Sequence, residues 1–315
     1  MNSTGKSHLP FRDYASFLAA RFEGKVQKLS VDGGFGCPNR DGTIGRGGCT
    51  YCNNATFTPP YCSPCDSVTR QLQLGKAFFG RKYPDMRYLA YFQSHTNTHA
   101  PLPLLRQRFE EALAVEGIVG LVIGTRPDCA GNDVLDYLAS LPAFVIMEYG
   151  IETTDDRLLQ SLHRGHTFAQ AADAVCRTAE RGICTAAHLI LGLPGQTREE
   201  MTAEATRLSA LPIDILKLHQ LQIVKDTPMA GDYALHPDHY PLFERPEDYA
   251  DVLIDFLRHL RPDITLERFT SQSPDDLLIA PRWGMKNHVF VSLLRRRLTE
   301  GQAWQGQLYN QTASL

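Results

Sequence analysis

Three cysteines, Cys37, Cys49 and Cys52, are spaced Cys-x11-Cys-x2-Cys in a stretch laced with glycine. Thiolates separated by two residues grip one metal centre from a tight turn. Gly42, Gly45, Gly47 and Gly48 permit the backbone angles that let a third thiolate wrap round to the same centre. Three cysteines on a four-iron cubane leave one iron with an open position, which a catalytic metal needs. The same stretch admits another reading. Cys49-x2-Cys52-x9-Cys62-x2-Cys65 is a plausible zinc-ribbon spacing, and a non-catalytic zinc-binding module that recognises nucleic acid is the alternative. Cys62 and Cys65 are also candidates for a second metal or a redox pair.

Five of the eight cysteines lie between Cys37 and Cys65. Without a secretion signal, such clustering points to metal rather than disulfides. Met1 to Phe17 holds no apolar run of the signal-peptide kind, and Gly117 to Thr125 is far shorter than the ~20 residues of a membrane helix. A cytoplasmic protein with no membrane partner is expected. Lys and Arg number 32 against 35 Asp and Glu, a net charge of −3. No global field draws such a chain to nucleic acid, so an RNA partner requires a local basic patch. Arg295, Arg296 and Arg297, with Arg282, Lys286 and His288 close in sequence, are the candidate. Gly5-Lys6-Ser7 lacks the upstream glycine of a phosphate loop.

The elements that must position the cysteines alternate. Strands are expected at Val26–Val31, Tyr88–Phe92, Val119–Gly124, Ala143–Tyr149, Thr185–Leu191 and Ile213–Leu218. Helices are expected at Val68–Arg81, Leu104–Ala114, Val134–Leu138, Phe168–Arg181 and Glu199–Leu208. The strands are short continuous apolar runs, as in a parallel sheet covered by helices. The fold class is α/β: a partial (β/α)6 TIM-like barrel of parallel strands with a C-terminal α/β extension. A helical segment occupies residues 1–24, the core barrel 25–229 and the extension 230–315. In the extension, helices are expected at Asp248–Leu260 and Asn287–Leu298 and a strand at Ile264–Arg268.

Sites in such folds lie at the carboxyl ends of the strands. Gln93 and Ser94, Arg126 to Cys129, Glu152 and Thr153, Gly192 to Gly195, and Gln222 all follow strands, around one opening. His95 and His219 are expected to line it. Cys176 and Cys184 read as core. Arg126, Asp128 and Cys129 are candidate catalytic residues, although Arg126 and Asp128 also suit a simple pair.

The run Leu29-Ser30-Val31-Asp32-Gly33-Gly34-Phe35-Gly36-Cys37-Pro38-Asn39-Arg40-Asp41-Gly42-Thr43, ending in Gly47-Gly48-Cys49-Thr50-Tyr51-Cys52-Asn53, resembles the cluster loop of a bacterial radical S-adenosylmethionine (radical SAM) family. That family is related to the catalytic subunit of Elongator. Tyr88 to Gln93, Gly124 to Cys129, Arg164-Gly165-His166, His188 to Gly195 and Lys217-Leu218-His219 resemble its later segments. The resemblance implies a [4Fe–4S] cluster on Cys37, Cys49 and Cys52. Its open iron would chelate S-adenosylmethionine, and reductive cleavage would give a 5′-deoxyadenosyl radical. By position it implies the methionine amino group at Gln93 and Ser94, the ribose at Glu152 and Thr153, the methionine carboxylate at Arg164, and adenosine against Gly192 and Gly195. A reducing electron donor such as flavodoxin or ferredoxin is the implied partner. The implied substrate is tRNA, at a wobble-uridine C5 substituent. The commoner Gly-Gly-Glu motif after the second strand is absent here.

Overall fold

The computed structural model describes residues 9–80 and 85–310. Gly5-Lys6-Ser7 and Arg81 lie outside them. The strands are β1 (Val26–Val31), β2 (Arg87–Phe92), β3 (Ile118–Thr125), β4 (Phe144–Glu152), β5 (Cys184–Leu191), β6 (Ile215–Gln220), β7 (Ile223–Val224), β8 (Thr265–Arg268) and β9 (Leu278–Ala280). The helices are α1 (Tyr14–Ala19), α2 (Pro38–Asp41), α3 (Val68–Phe79), α4 (Leu102–Leu113), α5 (Asn132–Ala139), α6 (Asp156–Ser161), α7 (Phe168–Glu180), α8 (Arg198–Ser209), α9 (Pro228–Leu235), α10 (Pro246–His259) and α11 (Asn287–Glu300).

Seven strands form one sheet in the order β1-β2-β3-β4-β5-β6-β8, every neighbouring pair parallel. The sheet curls into a partial barrel. The sequence pattern led to six strands, with Ile264–Arg268 in an extension packed on the barrel. Instead β8 pairs with β6 as the seventh strand. The pattern hid it because β7 and α9 interrupt the crossover before α10 returns the chain to the sheet. The short β7 and β9 pair antiparallel outside the main sheet.

Strand side chains alternate with period two, so each strand sends one set outward to the helices and one inward. The outward set, including Ala90, Phe92, Val145, Met147, Leu189 and Leu218, is buried with Leu72, Phe109, Val175 and Phe256 of the covering helices. The inward set forms layers. At the base Leu89, Val122, Ile146, Ala186 and Ile215 meet Phe17 and Leu18 of α1, which closes that end. Asp13 caps α1 by accepting from the Ser16 amide, and its backbone bridges to Leu266 of β8.

Two residues further along the strands the inward layer is ionic. Lys28 of β1 lies 2.6 Å from Glu267 of β8 and 3.3 Å from Glu148 of β4. Lys217 of β6 donates to Glu148 and to the Tyr91 hydroxyl, both at 2.8 Å. Tyr91 in turn donates to Glu148 at 2.5 Å. Burial works against a charge on Glu148, but Lys217 and Lys28 outweigh it and hold the carboxyl well below its usual range. Two further residues along, Gln93, Gly150, Ile190 and His219 reach the mouth of the barrel. No helix among the described residues is long and apolar enough to cross a membrane.

Candidate active site

The cysteine loop leaves β1 and returns to α3 across the carboxyl ends of the strands. Cys37 is the N-cap of α2, a single turn opened by Pro38. Asn39, inside that turn, donates from Nδ2 to the His163 carbonyl and to Cys49 Sγ, the latter at 3.5 Å. Arg40 donates to the Cys52 carbonyl at 2.9 Å. Gly48 has φ +75°, and a Cβ there would sit 3.0 Å from the Arg40 guanidinium. Glycine is needed for both the angle and the space. The Cys52 amide closes a turn on the Cys49 carbonyl, and Thr50 is tied to Leu162 and Met229 through its backbone. These bonds fix both ends of the Cys-x2-Cys turn to the barrel mouth.

Cys37, Cys49 and Cys52 line one cavity of about 400 Å³ at that mouth. All eight cysteines are free. Burial, then the neighbouring Cys49, pushes the Cys52 thiol up. The three sulfurs are not gathered within 4.8 Å of one another; among the described residues, Glu152, His188 and His219 are the ligand atoms gathered that closely. Sulfurs on one tetrahedral zinc, with Zn–S near 2.3 Å, lie only about 3.8 Å apart. Thiolates on separate irons of a cubane are more widely spread. Cys62 and Cys65 do not line the cavity. Cys62 donates to the Ser30 carbonyl at 2.9 Å, and Cys65 is exposed.

Arg164 follows α6 and is buried. It donates Nη1 to Cys49 Sγ at 3.3 Å and Nη2 to the Gly150 carbonyl at 2.5 Å. It lies 3.9 Å from Glu152. Glu152 ends β4 at a register shift with φ +70°, a left-handed angle costing a non-glycine residue roughly 1–2 kcal/mol. Burial raises its carboxyl pKa despite Arg164. Arg126 grips Asp128 with Nε and Nη2, each at 3.0 Å, and its buried Nη1 has no partner.

Of the residues singled out in the sequence, Gln93, Arg126, Glu152 and Arg164 share the cavity lining with the three cysteines. Several others lie elsewhere. Asp128 and Cys129 line a neighbouring groove with Pro38 and Thr98. The Ser94 hydroxyl is engaged with Thr58. Thr153 donates to Glu204 behind the wall. Gly192 and Gly195 are outside the lining, and a Cβ on Gly192 would meet the Phe243 ring at 2.7 Å. His95, His188 and His219 do line the cavity. The His219 Nδ1 sits 3.0 Å from the Gln220 carbonyl. A carbonyl only accepts, so Nδ1 holds the proton and Nε2 is left as an acceptor. Burial, then Arg268, holds this imidazole neutral, with its pKa down at about 3.

Sequence reasoning passed over Tyr91, Glu148 and Arg268 as cavity residues. A carboxylate inside the apolar run Phe144 to Ile151 was the available signal, since parallel strands rarely bury a charge without a use. The basic run near the C-terminus is largely consumed internally. Arg295 pairs with Asp13 and Arg297 with Asp251, and Arg282 caps backbone carbonyls.

The Radical SAM superfamily matches residues 34–207, and the Radical_SAM C-terminal domain matches 213–300. YhcC of Escherichia coli (strain K12) is 38% identical over 286 residues, covering 90% of this chain and 90% of that protein. YtqA of Bacillus subtilis (strain 168) is 35% identical, covering 93% and 90%. A tRNA uridine(34) acetyltransferase of Dehalococcoides mccartyi (strain CBDB1) is 31% identical over 112 residues, 35% of this chain and 24% of that protein. Among solved structures, the archaeal Elp3 of Methanocaldococcus infernus superposes with a TM-score of 0.65 at 14% identity. The match covers 90% of this chain and 65% of the Elp3 chain. SuiB of Streptococcus suis, bound to S-adenosylmethionine, superposes at 0.53 and 12% identity, covering 82% and 53%.

Proposed function

This chain belongs to the radical SAM superfamily, and we propose that Cys37, Cys49 and Cys52 hold its [4Fe–4S] cluster, with S-adenosylmethionine bound in the same cavity. The SuiB structure that superposes on this fold is bound to S-adenosylmethionine. The donor set fits: three free thiols line one pocket, with two N–H donors aimed at Cys49. Together the two groups supply one-electron reductive cleavage of a sulfonium and hydrogen abstraction from a substrate carbon.

The observation that carries this reading is the buried Arg164 guanidinium on the Cys49 sulfur. A guanidinium at that sulfur would offset the negative charge that a cluster thiolate brings into the cavity. Roles follow from what each group has free. Arg164, or the unpartnered Nη1 of Arg126, would take the methionine carboxylate. Gln93 Oε1 accepts from Ser30 at 3.3 Å and keeps a lone pair for an amino group. Glu152 would take the ribose hydroxyls. Ser94, Thr153, Gly192 and Gly195 would act from behind the wall, by shaping it. Asp128 orients Arg126, and Cys129 flanks it.

The substrate we propose is a tRNA wobble uridine, in a cytoplasmic setting that keeps thiols reduced. An electron donor of the flavodoxin or ferredoxin type would serve the cluster. The match to a protein named tRNA uridine(34) acetyltransferase supports the RNA assignment. Mass spectrometry of tRNA nucleosides from a deletion strain tests it: loss of a modified uridine is expected, and an unchanged profile would turn the assignment to a non-RNA substrate.

A further inference from the structure

Arg268 ends β8 and lines the cavity. It stands with His188 and His219 from β5 and β6, and with Gln222, Ser271 and Ser273 from the loops above them. The other cationic side chains of the lining have partners, and the free Nη1 of Arg126 is assigned above to the cofactor. Arg126 is paired with Asp128, Arg164 with Cys49 and Glu152, and Arg40 with the Cys52 carbonyl. The carboxylate nearest in sequence, Glu267, is taken by Lys28 at 2.6 Å. Glu148 is taken by Lys217 and Lys28. No side-chain hydrogen bond or ion pair joins Arg268 to any described residue, and its Nε is buried without a partner. The residue as a whole is half-buried, and a buried guanidinium N–H with no acceptor is costly.

We propose that the substrate carries an anionic group, a phosphate or a carboxylate, that docks on Arg268 at the wall made by β5, β6 and β8. The inference rests on the cavity being the substrate site of the radical SAM reaction proposed above. The local charge balance favours an anion. At the wall made by β5, β6 and β8, Glu148 and Glu267 are already offset by Lys28 and Lys217, which leaves Arg268 as the uncompensated charge, and both histidines are neutral. A divalent cation at Glu152, His188 and His219 would face Arg164 and Arg268 with no carboxylate left to offset them. A planar guanidinium instead offers two parallel donors to a phosphate or carboxylate. Ser271 adds a hydroxyl at the same wall, Ser273 being engaged with Gln222 at 2.9 Å, and the His219 Nε2 lone pair would accept from a substrate hydroxyl or N–H beside the anion.

The test is calorimetric titration of the cluster-loaded, SAM-saturated protein with inorganic phosphate and, separately, acetate. The relative affinity of the two distinguishes phosphate from carboxylate. Saturable binding of at least one is expected, weakened about 10- to 100-fold in Arg268→Met, the loss of a charge-assisted contact. Arg268→Lys keeps the charge without the fork and should lose less. Arg268→Gln serves where methionine disturbs folding. Equal affinity in wild type and the uncharged variants, or no binding of either anion to wild type, would overturn the proposal. A matching loss of SAM affinity would also overturn it, since Arg268 would then belong to the cofactor. If wild type holds no cluster and binds no SAM, the radical SAM reading fails instead. Phosphate binding and its dependence on Arg268 remain readable in that protein.

Discussion

Arg164 Nη1 donates to Cys49 Sγ at 3.3 Å, while the same guanidinium holds the Gly150 carbonyl. The contact links the end of β4 to the cysteine loop. A cation donating to a cluster sulfur stabilises the more electron-rich, reduced state. Arg164→Gln is therefore expected to lower the cluster midpoint potential by on the order of 50 mV. Spectroelectrochemical titration of the reconstituted protein measures it, and an unchanged potential would place Arg164 outside the cluster environment.

Gly48→Ala should loosen the loop. The left-handed angle costs alanine roughly 1–2 kcal/mol, and the new methyl displaces the Arg40 guanidinium that holds the Cys52 carbonyl. Iron retained after gel filtration should fall while the far-UV circular dichroism of the barrel stays unchanged. Full iron retention would contradict the role given to this glycine.

Glu148 and Lys217 form the centre of the ionic layer, 2.8 Å apart and buried. Removing one leaves the other only its longer contact, Lys28 at 3.3 Å for Glu148 or Glu267 at 3.9 Å for Lys217, so Glu148→Leu or Lys217→Met alone should cost up to roughly 3–5 kcal/mol. The double variant should recover a large part of that, because Lys28 still pairs with Glu267. Denaturant melts of the three variants measure the coupling. Simple additivity of the single losses would show that the pair does not act as a unit.

Glu204 gives a pH signature. Burial pushes its carboxyl up to about 7, against bonds from Thr153 and the Thr154 amide, and Oε2 has no partner. The folded state thus binds this proton more tightly than the unfolded chain. Its contribution is fully present below about pH 4.5 and is lost as pH rises toward 7, a total of about 3 kcal/mol. Glu204→Gln should flatten the decline in melting temperature between pH 5 and 7. A decline as steep as in wild type would place the titration elsewhere.

Much of this was legible in the chain because the signals are local. Parallel strands buried on both faces read as apolar runs, and Val26–Val31 coincides with β1 at both ends. The cysteine triad sits within one loop, so its spacing alone suggests a metal. The seventh strand was legible as a strand but not as a member of the sheet, because pairing of β8 with β6 depends on a crossover that β7 and α9 interrupt. Arg268 was illegible as a cavity residue for the same reason. Its neighbours His188 and His219 come from other strands, and only the curl of the sheet brings them together. Ser94 and Thr153 follow the right strands, but which way a hydroxyl turns depends on Thr58 and Glu204, far away in sequence.

The central claim is that three sulfurs of one loop carry a catalytic iron–sulfur cluster. The direct measurement is 5′-deoxyadenosine formed from S-adenosylmethionine under dithionite by anaerobically reconstituted protein, with iron and sulfide counted on the same sample. About four irons and four sulfides per chain are expected, with product from wild type and none from Cys49→Ala. A colourless protein with one zinc, or product from Cys49→Ala at the wild-type rate, would contradict it.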